Sequence, residues 1–169
     1  AASGSSYKYI PTDETKKMLI DVETDLDGSG VKVAVLDTGT PEPLHPQNLF
    51  KIRPLSASFE IWPTDGVGHG TWCLTQIGGL PWMSIYGNVS GIAPKCELYS
   101  IKVLSSTGMG TTSEVIKGME MALQSGVKIV SMSLGSEPQG SENDDPVCKA
   151  VELLNKNGLI VVVAAGNSG

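Results

Sequence analysis

The stretch from Glu97 to the end of the chain alternates between two apolar periodicities, and this alternation constrains the fold more than any other feature. "ELYSIKVL" (97–104), "VKIVSMS" (127–133) and "LIVVVAA" (159–165) are short, near-continuous apolar runs rich in Val and Ile. Between them lie two stretches with helical spacing: Val115, Met119, Ala122 and Leu123 share one face, as do Val147, Val151 and Leu154. Thr111, Thr112 or Ser113 is placed to cap the first helix, and Gly126 closes it. Asp145 followed by Pro146 is an N-cap and first-turn pair for the second helix, which ends at Gly158. "VKVAVLD" (31–37) reads as an earlier strand of the same kind. Strands that are apolar along their whole length need cover on both sides, and intervening helices supply it. The predicted class is therefore α/β, a parallel sheet with helices on both faces.

The rest of the chain is less regular. Residues 1–30 are polar, with a short helix expected in "DETKKMLIDVE" (13–23) and a turn at "DGSG" (27–30). Thr38 to about Asp65 is rich in Pro and polar residues and reads as loops with short strands. The chain divides into an N-terminal segment, 1–30, and one domain, 31–169, whose 40% hydrophobic content suffices for a core. A net charge of −6 argues against nucleic acid and against an anionic membrane surface as partners. No run approaches the roughly 20 apolar residues that span a bilayer. "AASGSSYKYI" has no apolar signal-peptide core, so we expect either a cytosolic protein or a mature form whose targeting segment is gone. Cys73, Cys96 and Cys148 are odd in number and lie far apart, with no C-x-x-C, so thiols are expected rather than a disulfide framework or a zinc site.

In open parallel sheets, ligands bind beyond the carboxyl ends of the strands. That rule selects Asp37-Thr38-Gly39, "SSTGMGTTS" (105–113), Ser133-Leu134-Gly135 and Gly166-Asn167-Ser168, all at one edge. Asp37-Thr38-Gly39 has three readings. An aspartic-protease D-T-G needs a second copy to share a proton, and the chain has one. The others are a strand-ending Asp that caps a turn, and an Asp that orients a histidine. "TGMGTTS" approaches the dinucleotide fingerprint, but its third glycine is Ser113 and the next strand ends in Ser133 instead of a ribose-binding acid. Of the two histidines, His45 lies in the loop-like "PLHPQ", while His69 in "GVGHGT" has glycines on both sides that leave the imidazole unobstructed. An Asp beside His69, plus an Asn whose NH₂ donates to a developing oxyanion, describes acyl-transfer machinery.

These residues resemble the subtilisin-like serine proteases, the subtilases. "VAVLDTGT" is similar to the family's aspartate motif and "GHGTWC" to its histidine motif. "GIAPKCELYSIKVL", "MSLG" and "VVVAAGNSG" match its later segments in the family's order, from about residue 31 onward. The resemblance implies a serine endopeptidase in which Asp37 orients His69, His69 is general base and then acid, and Asn167 donates to the oxyanion. It implies that Gly108, Met109 and Gly110 pair with an extended peptide or protein substrate. Ser133, Leu134 and Gly135 would form the opposite wall, with Gly135, Ala164, Ala165 and Gly166 bordering the pocket for the side chain before the scissile bond.

Several positions depart from the family pattern. Trp72 stands where a His is usual, Cys73 coincides with a cysteine of the proteinase K branch, and "PEPL" (41–44) reads as an insertion. Gln47 occupies the place of a calcium-binding Asp, and "LPWMSIYGNVSG" (80–91) is longer than the usual calcium loop, so the family's usual calcium ligand pattern is not matched and no cofactor is called for. The acidic "ETDLDG" around Asp25 and Asp27 lacks the closing bidentate Glu of a calcium loop and reads as a solvated turn. The family's nucleophile motif, G-T-S-x-A, has no match in these residues, and Ser168 lies on a different element. The nucleophile is thus expected on a complementary C-terminal segment, leaving this chain inactive by itself. Subtilases being most often secreted, the resemblance favours a secreted mature form. The alternatives are a non-catalytic peptide-binding module of the same fold and a nucleotide-binding α/β enzyme.

Overall fold

A computed structural model describes residues 26–41, 52–84, 87–136, 141 and 144–167. The helix expected in 13–23, and His45, Gln47, Asp25 and Ser168, lie outside them. Strand β1 (Lys32–Asp37) is followed by β2 (Ile52–Ser56), helix α1 (His69–Gly78), and the short strands β3 (Trp82–Ser84) and β4 (Gly87–Val89). Then come β5 (Glu97–Lys102), α2 (Thr112–Gln124), β6 (Ile129–Met132), α3 (Pro146–Lys156) and β7 (Ile160–Val163). Five strands pair in parallel in the order β2-β5-β1-β6-β7, and β3 and β4 form a separate antiparallel pair. The chain places β5 on one side of β1 and, after α2, β6 on the other. Such a reversal of strand order opens a crevice at the carboxyl ends of the strands.

The alternation of side chains along β1 divides the core into two layers. Val33 and Val35 pack with Leu98, Cys73 and Leu74 on the α1 side. Ala34 and Leu36 pack with Ile101, Val130 and Met132 against Val115, Met119 and Ala122 of α2 and Leu154 of α3. The sheet therefore carries helices on both faces, as its apolar strands require. Burying a side chain such as Leu36 in this way contributes about 2 kcal/mol.

The caps match the sequence signals. Thr111 caps α2 in a reciprocal box with Glu114: Glu114 N donates to Thr111 Oγ1 (3.2 Å) and Thr111 N donates to Glu114 Oε2 (2.7 Å). Asp145 Oδ1 accepts from Val147 N (2.7 Å) and Cys148 N (3.1 Å), with Pro146 next in the chain. One feature differs from expectation. Helix α1 carries no conventional cap signal in its sequence, because Gly68 precedes it in a left-handed conformation (φ 91°) and its first N–H groups are satisfied from elsewhere in the fold. Among the described residues strand β7 pairs with β6 alone, and Ile160, Val162 and Val163 are exposed while Leu159 before it is buried.

Candidate active site

Asp37 ends β1 at the crevice and is 1% exposed. Its Oδ1 accepts from Thr38 N (2.7 Å), and both carboxylate oxygens face His69 Nδ1, at 2.8 and 2.9 Å. An Nδ1 proton donated to the carboxylate leaves the lone pair of the neutral ring on Nε2. The hydrogen bond to Asp37, then the one to Cys73, pushes the imidazole pKa up to about 10 from 6.5, against the opposing effect of burial. Cys73 lies one helical turn on, its thiol buried and 3.9 Å from Nδ1. Trp72 presents its ring 6.4 Å from the imidazole, tilted by 38°, and its buried Nε1 has no hydrogen-bond partner among the described residues.

Asp65, which the sequence reading gave no role, connects the two halves of this pair. Its Oδ1 accepts from Thr38 Oγ1 (2.8 Å), Val67 N (3.0 Å) and Gly68 N (2.8 Å), and its Oδ2 from Thr71 N (2.8 Å) and Thr71 Oγ1 (2.7 Å). Thr38 Oγ1 in turn accepts from Gly70 N (2.8 Å). The orphan N–H groups of the first turn of α1 are thus capped by side chains of the Asp37 loop and of Asp65. Burial pushes the Asp65 carboxyl up, but the bonds from Thr71, Gly68 and Thr38 outweigh it and hold its pKa below the usual value. The available signal was an acid four residues ahead of His69. It was hidden because capping residues are sought directly before a helix, and Gly68 stands there. Asp65→Asn turns an acceptor into a donor toward Thr71 N or Gly68 N, and we expect it to cost about 2 kcal/mol in urea unfolding.

The other expected positions lie at the same carboxyl edge. Gly108, Met109 and Gly110 follow β5, and Met109 is 73% exposed. Gly110 lies so close to the Val103 carbonyl that no Cβ fits there. Ser133 to Gly135 continue β6, with Ser133 and Gly135 exposed, and Ala164 to Asn167 continue β7 with all four exposed. Ala164 N donates to Met132 O (3.1 Å), which sets these two strand ends side by side. Asp37 and His69 are the pair in direct contact; the rest share the edge.

Two other ligand chemistries meet obstacles at this edge. Asp37, His69 and Cys73 offer ligand atoms within 4.8 Å of one another, but the Asp37–His69 bond occupies the Nδ1 that a metal would use. The N-terminus of α2, where a nucleotide phosphate would sit after "TGMGTTS", is filled by the Glu114 carboxylate, which accepts from Thr111 N and from Phe59 N (2.8 Å). An anionic phosphate meets a like charge there. In the N-terminal turn, Asp27 accepts from Ser29 N (3.0 Å) and Ser29 Oγ (2.7 Å) and pairs with Lys95 (2.7 Å), so both its oxygens are engaged. The cysteines are thiols, with Cys73 and Cys96 buried and Cys148 exposed. Among the described residues, no helix is long and apolar enough to cross a membrane.

Fold and site together define an α/β protein in which a buried carboxylate holds an imidazole at the carboxyl edge of a parallel sheet. The particular family follows from comparison: residues 28–169 match the subtilase family, and the chain belongs to it. It is 39% identical to Subtilisin DY of Bacillus licheniformis over 84% of this chain and 49% of that protein. It is 42% identical to Subtilisin Savinase of Lederbergia lenta over 85% of this chain and 50% of the relative. Serine protease AprX of Bacillus subtilis (strain 168) is 36% identical over 85% of this chain and 34% of its own length. The chain thus spans about half the length of Subtilisin DY and Subtilisin Savinase.

Proposed function

We propose that the intact protein is a serine endopeptidase and that residues 31–169 are the N-terminal part of its catalytic domain. The observation that carries this reading is the buried Asp37 carboxylate on His69 Nδ1, in a chain of the subtilase family. His69 Nε2 removes the proton of a serine hydroxyl as that oxygen attacks the scissile carbonyl, and later returns it to the leaving amine. Asp37 keeps the ring in the required tautomer and stabilises the imidazolium. Asn167 Nδ2 donates to the oxyanion of the tetrahedral intermediate without adding a charge that would oppose the base. The serine belongs to a complementary C-terminal segment outside residues 1–169, and that segment also covers exposed Ile160, Val162 and Val163 of β7. Gly108 to Gly110 add an extended peptide as a further strand, and Ser133 to Gly135 form the facing wall. Gly135, Ala164, Ala165 and Gly166 border the pocket for the side chain before the scissile bond. No calcium or other cofactor enters this chemistry, and we place the mature protein outside the cell.

The test is hydrolysis of an extended peptide amide by the intact protein and by its Asn167→Ala variant. The variant should lose about 10²–10³-fold in kcat with KM little changed, a scale set by the oxyanion-hole asparagine of subtilisin, which is itself a subtilase. Hydrolysis that survives Asn167→Ala undiminished removes Asn167 from the oxyanion site. Peptide binding without hydrolysis by the intact protein favours a binding module.

A further inference from the structure

Lys102, the last residue of β5, is completely buried, and a buried ammonium needs acceptors for its three protons. It donates to Thr38 O (2.7 Å) and Thr64 O (2.9 Å), and Glu60 Oε2 lies 3.3 Å from it. Two of these partners border the Asp37–His69 pair: Thr38 follows Asp37, and Thr64 precedes Asp65, which caps the helix that carries His69. The third reaches in the opposite direction. Glu60 accepts from Ser106 N at 3.0 and 3.1 Å and from Ser106 Oγ at 2.7 Å. Its own backbone is held on both sides, because Glu60 O accepts from Ser56 Oγ (2.8 Å) and Glu60 N donates to Ser58 Oγ (3.3 Å).

Ser106 belongs to a turn closed on itself. Gly108 N donates to Ser105 O (2.9 Å), Ser105 N donates to Met109 O (2.8 Å), and Ser105 Oγ and Thr107 Oγ1 are 2.7 Å apart. A turn bonded in this way moves as one body, so what holds Ser106 also places Gly108, Met109 and Gly110. A continuous chain of polar contacts runs from Asp37-Thr38 through Lys102 and Glu60 to the backbone that faces substrate.

We propose that Glu60, anchored on buried Lys102, is a positioning residue that fixes the 105–110 edge relative to the Asp37–His69 pair, so that an extended peptide is gripped in register with the base. The proposal deepens the peptidase reading and rests on it. Exposed ion pairs contribute little because water competes for them. Here the cation is fully buried, and the carboxylate is its only charged partner among the described residues. The same carboxylate binds the substrate edge, so loss of Glu60 frees that edge.

The experiment compares the intact wild-type protein with Glu60→Ala and Glu60→Gln on two substrates. One is a peptide amide with four residues ahead of the scissile bond, and the other is an ester of a single blocked amino acid, too short to pair with 108–110. In Glu60→Ala, kcat/KM for the long peptide should fall about tenfold relative to the ester, carried mainly by KM. Glu60→Gln keeps one acceptor for Ser106 and should recover part of that loss. Equal losses on the two substrates, or no loss on either, overturn the proposal. Amide hydrogen exchange at Ser106 and Gly108 should quicken about tenfold or more in Glu60→Ala, and unchanged exchange overturns the tether itself. Exchange needs no turnover, so a wild-type protein that cuts neither substrate sinks the peptidase reading and the substrate role with it, while exchange still decides the tether.

Discussion

Replacing Asp37 by asparagine in the intact protein is expected to lower kcat/KM for peptide hydrolysis about 10⁴-fold, a scale known for triad aspartates, subtilisin included. Asparagine cannot stabilise the imidazolium, and its amide can turn an N–H toward Nδ1 and impose the wrong tautomer. Because Asp37 packs at the end of β1 with Thr38 N on its Oδ1, the isosteric amide should leave the fold standing. The loss should therefore fall on kcat. A second readout is the titration of His69 followed by NMR. In the wild type the hydrogen bond to Asp37 holds the imidazole at about 10, above the ordinary 6.5, and in Asp37→Asn it should move down toward the ordinary value. The folded value lies above the unfolded one. The pair's contribution to stability is therefore complete below about pH 6.5 and is lost as pH rises through about 10, and Asp37→Asn should flatten that dependence. The neutral imidazole needed as base grows in population over the same rise, so activity should increase on the alkaline side.

Gly39→Ala is expected to be strongly destabilising, costing about 3 kcal/mol in denaturant unfolding. Gly39 has φ +125°, which L side chains rarely adopt, and an added Cβ would sit 2.5 Å from the Pro63 carbonyl oxygen and 2.9 Å from that of Thr64. Relief requires the Asp37 loop to separate from residues 63–65. That separation breaks the bonds from Thr40 N to Pro63 O (2.7 Å) and from Asp65 N to Thr40 O (2.8 Å). Asp65 would then lose its grip on Thr38 and on the start of α1, so activity should fall along with stability. Stability unchanged to within about 0.5 kcal/mol would show that the two loops do not depend on this close approach.

The α/β class was legible because β1, β5 and β6 carry apolar residues on both faces and because Thr111, Asp145, Gly126 and Gly158 mark helix ends in the local sequence. The Asp37–His69 contact was legible as a motif, and the fold gives it a distance. What escaped were the contacts between distant residues that no motif announces. Helix α1 starts without a local cap because Asp65 and Thr38 satisfy its first turn, and Thr38 lies 32 residues before Gly70. Glu60 and Lys102 carry no local signal that pairs them, and only the folding of the 58–65 loop over β5 joins them.

The central claim is that Asp37 and His69 activate a serine carried outside residues 1–169. It is tested most directly by treating the intact protein with a fluorophosphonate probe and mapping the modified residue by mass spectrometry. We predict one labelled serine outside residues 1–169, with labelling abolished in His69→Ala. A label on a serine within residues 1–169, or labelling that survives His69→Ala, would contradict it.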